Sequence, residues 1–118
     1  LYSAVQLWKE IGLSEKEALD AIGTMAHSTV QSVRRYGLVS TVTGPVVRGD
    51  ITTLNRQLRA LSINDTGLLK LFIALTEASL PMIEGFLSED KQREILKLVM
   101  RYAEASKSDN IIRRGNSV

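Results

Sequence analysis

The chain has 118 residues, 44% of them hydrophobic and 24% charged, with a formal net charge of +2. That length suits one domain and leaves no room for a second, and the apolar fraction argues against disorder. The basic residues are interleaved with acidic ones except at Arg34-Arg35 and Arg113-Arg114, so no stripe for nucleic acid emerges. The absence of cysteine excludes disulfides, thiolate metal sites and cysteine nucleophiles, and a cytoplasmic location is the default expectation.

Leu1, Val5, Trp8 and Ile11 or Gly12 recur at helical steps, so the chain opens inside an amphipathic helix that Gly12 closes. Because the first residue is leucine rather than methionine, a preceding segment is expected. Ser14 and Glu17 form a capping box for a second helix. Ala18, Ile22, Met25, Thr29, Val33 and Tyr36 give that helix its apolar stripe, Asp20, Thr24, His27, Gln31 and Arg34 its polar one, and Gly37 its end.

Leu38 to Gly49 lacks helical period and is rich in β-branched residues, which fits either a short extended segment or an ordered loop against the core. Asp50 reads as the N-cap of a short third helix with Ile51, Leu54, Leu58 and Leu61 on its buried face. Asn64 or Asp65 caps a fourth. There Leu68, Leu69, Leu71, Phe72, Ile73 and Leu75 cover most of the circumference, the pattern of a central helix. Pro81 predicts a kink or break. Ser88 caps a fifth helix whose face is Ile95, Leu98, Val99 and Tyr102, and a flexible tail is expected over 107–118. The longest apolar run, around Leu71–Leu75, is short of the ~20 residues that span a bilayer, and no signal peptide is visible, so no membrane partner is expected. The predicted fold class is all-α, a bundle of five or six helices.

Chemistry concentrates in Thr43-Gly44-Pro45-Val46-Val47-Arg48-Gly49-Asp50. Gly44 and Gly49 have the spacing of the outer P-loop glycines, but Asp50-Ile51 stands where lysine and a hydroxyl residue are required, and a carboxylate there repels phosphate. No G-x-G-x-x-G occurs in the chain. Arg48-Gly49-Asp50 also spells an adhesion tripeptide, for which secretion signals are missing. His27 is the only histidine and lacks triad or zinc partners, and Glu15/Glu17 and Glu89/Asp90 fit first-turn dipole roles. Trp8, Met25, Met82 and Met100 read as core or interface. Arg48, in a loop otherwise uncharged up to Asp50, offers a fork of donors to an anionic group, with Thr43 adding a hydroxyl.

Taken together, Gly12-Leu13-Ser14, the second helix and the T-G-P-x-x-R-G-D string resemble the domain of unknown function that follows a Rossmann domain in NADP-dependent reductases. That domain is similar to the carboxyl-terminal domains of 6-phosphogluconate dehydrogenase, ketopantoate reductase and pyrroline-5-carboxylate reductase. The resemblance covers residues 1–61 by motif and the rest by helical pattern. It implies a helical substrate-binding and dimerisation domain over 1–106, and a homodimer. NADP or NAD would be held mainly by a Rossmann domain this chain does not contain, and the substrate would be a small anion. Thr43, Gly44, Pro45, Arg48, Gly49 and Asp50 would face the cleft. Such a chain alone would not catalyse hydride transfer. The rival expectation is a non-enzymatic helical interaction module.

Overall fold

A computed structural model of the chain describes residues 1–115, with side-chain surroundings through Lys107. Five α-helices and two 3₁₀ turns, with no strand among the described residues, make the fold all-α, as the periodicity predicts. The chain divides into two compact units, Leu1–Val42 and Thr43–Val118.

In the first unit, α1 (Tyr2–Glu10) packs on α2 (Glu15–Tyr36), and a 3₁₀ turn (Val39–Thr41) follows. The helices are joined by two local devices. Leu13 N–H donates to Trp8 O (3.2 Å) and Gly12 N–H to Lys9 O (3.0 Å), the paired bonds of a Schellman ending, with Gly12 at φ +95°. The Ser14–Glu17 capping box then opens α2: Glu17 N–H donates to Ser14 Oγ (3.2 Å) and Ser14 N–H to Glu17 Oε2 (2.8 Å). Gly37 closes the helix, its N–H donating to Val33 O at 2.9 Å.

The predicted apolar stripe of α2 is only partly buried. Ala18 is buried and Ile22 and Val33 are half-buried, but Met25 and Tyr36 are 62% and 58% exposed. Length explains this, since nine residues of α1 rise about 13 Å whereas the 22 of α2 rise about 33 Å. The shorter helix covers only the first turns of the longer.

In the second unit, α3 (Ile51–Asn64), α4 (Thr66–Ser79) and α5 (Glu89–Gly115) pack pairwise around Leu54, Leu58, Leu69, Ile73, Ile95, Leu98 and Val99. Full burial of each such side chain contributes about 1.5–3 kcal/mol. Asp65, rather than Asn64, caps α4 by accepting from Leu68 N–H (2.8 Å). The third helix is longer than the sequence suggests, at 14 residues.

α4 is not central. Leu69 and Ile73 are buried while Leu71 and Leu75 are exposed, because α3 and α5 both pack against the side carrying Leu69 and Ile73. The window Thr66–Ile83 has a mean hydropathy of 1.4 over 18 residues, which meets the composition of a membrane-crossing segment. Its α-helical part stops at Ser79, and a 3₁₀ turn (Leu80–Ile83) carrying Pro81 follows. Fourteen residues rise about 21 Å, less than the ~30 Å hydrocarbon layer.

α5 begins after Ser88 and carries the expected face, with Ile95, Leu98 and Val99 buried and Tyr102 half-buried. It continues through most of the segment expected as a tail and reaches Gly115, since no glycine or proline interrupts it earlier. Residues 116–118 lie outside the described residues.

Candidate functional site

The stretch from Thr43 to Asp50 is a single coiled turn rather than an extended segment. After Gly44 (φ +114°), Pro45 fixes the entry, and Arg48 N–H donates to Gly44 O at 3.3 Å. The turn then closes as α1 does: Asp50 N–H donates to Pro45 O (2.8 Å) and Gly49 N–H to Val46 O (3.1 Å), with Gly49 at φ +64°. Val46 packs against the core of the second unit.

Asp50 ends this turn and starts the next helix. Its Oδ1 accepts from Thr53 N–H at 3.0 Å. That bond and one with the Thr53 side chain, aided by the nearby Arg48 and Arg56 charges, hold the carboxyl below its ordinary value of 3.8. A carboxylate is therefore committed to loop and helix architecture, which suits a positioning role.

Six candidate residues separate into two groups. Thr43, Gly44 and Pro45, with Val46, form one wall of a hollow of about 350 Å³, completed by Gln57, Phe72, Leu75, Thr76 and Ser79. Arg48, Gly49 and Asp50 do not line it. Gly49 and Asp50 are half-buried, whereas Arg48 is exposed and makes no ion pair or hydrogen bond among the described residues.

The hollow carries no charged side chain. Its polar groups are the hydroxyls of Thr43, Thr76 and Ser79 and the Gln57 amide. Thr76 Oγ1 donates to Phe72 O and Ser79 Oγ to Thr76 O, both at 2.8 Å, so each hydroxyl retains lone pairs to accept a bond. A polar but uncharged group against an apolar wall fits this surface. The sequence reading missed Gln57, Thr76 and Ser79. Thr76 and Ser79 interrupt an apolar helix at a three-residue step, and Gln57 stands one turn from Leu54 and Leu61 beside the buried face, which is the signal that marks them.

His27 lies elsewhere, exposed on α2, with Nε2 2.8 Å from the Gln31 amide nitrogen. The open depression around it is walled by α2 alone. Among the described residues no group of three His, Cys, Asp or Glu side chains is placed to hold a metal ion.

No curated protein and no solved structure matches the chain. The profile of one family matches residues 1–79, a span that runs from α1 through the coiled turn to the end of α4. The chain therefore belongs to the family described as Domain of unknown function (DUF2520).

Proposed function

We propose that this chain is the substrate-binding and dimerisation domain of an NAD(P)-dependent oxidoreductase whose nucleotide is held mainly by a separate Rossmann domain. The reading rests on the resemblance carried by the T-G-P-x-x-R-G-D string. The observation that supports it most is the prefolded turn at Gly44–Asp50, which keeps Arg48 exposed and unpaired while its neighbours Thr43–Val46 wall a hollow. A guanidinium that makes no hydrogen bond or ion pair among the described residues, with the Asp50 charge nearby, engages a carboxylate or phosphate without first breaking a bond. Asp50 positions the turn, and the uncharged hollow takes the less polar part of the ligand. Hydride chemistry belongs to the nucleotide, so this chain contributes binding and orientation.

Sequencing the intact gene product tests this directly. A Rossmann-type G-x-G-x-x-G domain upstream of Leu1 is the expected result, and a gene product without one overturns the proposal. The second reading, a non-enzymatic helical interaction module, is favoured by the exposed Met25, Val30 and Tyr36 on α2 and Leu71 and Leu75 on α4. It predicts a partner chain and no nucleotide binding by the intact product.

A further inference from the structure

A second hollow, of about 370 Å³, lies between α3 and α5, and it differs from the first in charge. Lys97 and Arg101 stand one turn apart on α5 and border it together, facing Thr52 and Asn55 of α3. Like charges four residues apart on a helix repel each other. Neither cation forms an ion pair or hydrogen bond among the described residues. Glu94 is the acid on the rim, and it is engaged by Lys91 at 2.9 Å.

The amide of Asn55 is oriented from behind. Tyr102 Oη donates to Asn55 Oδ1 at 2.8 Å, which occupies the acceptor end and leaves the Nδ2 donors available. Thr52 adds a hydroxyl from the first turn of the 14-residue α3, whose N-terminus Asp50 already caps through Thr53 N–H, so the positive charge at the hollow comes from Lys97 and Arg101. Ile51 and Leu98 supply an apolar flank. Cations and neutral donors thus converge on one hollow whose single carboxylate is already paired.

We propose that the α3–α5 hollow, through Lys97, Arg101, Asn55 and Thr52, binds the phosphate group of a small molecule. Lys97 supplies a compact charge, Arg101 a fork, and Asn55 and Thr52 the remaining donors to a tetrahedral oxyanion. The hollow shares no lining residue with the Arg48 turn, and the proposal does not rest on the oxidoreductase reading.

Titrating the full chain with inorganic phosphate at low ionic strength, followed by amide NMR, tests it. Saturable shifts at Thr52 and Asn55 are expected, with affinity about fivefold weaker in both Lys97→Gln and Arg101→Gln. Tyr102→Phe keeps the ring but frees the Asn55 amide, and it weakens binding by about twofold or more. Arg34→Gln on α2 leaves affinity unchanged. Glycerol phosphate binding tighter than inorganic phosphate is expected from the apolar flank. Shifts spread over the basic residues generally, or equal weakening by Arg34→Gln, overturn the proposal, as does unaltered affinity in the Lys97 and Arg101 variants. Circular dichroism of each variant separates lost binding from lost folding.

Discussion

Gly49 lies so close to Leu87 that a Cβ on it would stand 3.2 Å from Leu87 Cδ2, at a φ of +64°. The turn carrying Arg48 is thereby latched to Leu87, two residues before α5. Gly49→Ala adds left-handed strain to a close contact, and a loss of about 1–2 kcal/mol is expected in urea unfolding. Gly85→Ala is the control, because open space surrounds that position and its φ is not positive. It should stay within about 0.5 kcal/mol.

Two helix-opening carboxylates, Glu17 and Asp50, give stability an acid limb. Hydrogen bonds from Ser14 lower Glu17 from its ordinary 4.5, and those with Thr53 lower Asp50 from 3.8. Since each is depressed on folding, its contribution is fully present above those ordinary values and is lost as pH falls through the lower folded values. Thermal unfolding from pH 7 to pH 2 should therefore steepen below about pH 4.5. Asp50→Asn, which keeps a capping side chain without its titration, should flatten that limb.

Burial separates leucines that the sequence alone groups together. Leu58 is fully buried and Leu71 is 48% exposed. Leu58→Ala is expected to cost about 2–5 kcal/mol, and Leu71→Ala much less, in the same denaturant assay. Equal losses would mean that α4 is covered on the Leu71 side as well.

Element type and helix starts were legible in the sequence because local chemistry sets them, whereas the lengths of α3 and α5 were not. Ser14–Glu17, Asp50, Asp65 and Pro81 each act within a few residues, and each does what its residue type implies. Burial was less legible, because it depends on what lies opposite. The stripe of α2 continues past Ile22 where the shorter α1 ends, and the apolar circumference of α4 receives partners on one side. The coiled turn was recognisable from its glycines, proline and charges, but its internal bonding from Pro45 to Asp50 is a three-dimensional closure. Gln57 comes from α3 and Thr76 and Ser79 from the end of α4, so their meeting beside Thr43 depends on how the two helices fold back on each other and could not be read from spacing.

An exposed apolar stripe on α2 is what a second chain would cover in the dimer reading. Met25 and Tyr36 lie on the predicted stripe, and Val30 is a further exposed apolar residue of the same helix. Sedimentation of the chain should show self-association, and Met25→Asp should shift it towards monomer by placing a charge in a desolvated contact. A strict monomer before mutation would count against dimerisation through this face.

Arg48 gives the sharpest separation between binding and folding. Its side chain is exposed and makes no hydrogen bond or ion pair among the described residues, so Arg48→Ala should change unfolding free energy by no more than about 0.5 kcal/mol. Under the proposed function, the same substitution in the intact protein removes a charged fork from the ligand, and binding should weaken about tenfold. Fluorescence titration with NADPH and calorimetry with small carboxylates distinguish a cofactor phosphate from a substrate carboxylate as its target. Arg48→Lys should recover only part of the affinity, because one ammonium does not reproduce two parallel donors. Unchanged affinity for both ligand classes in Arg48→Ala would remove the residue from the site and leave the turn as an architectural link between Val42 and α3.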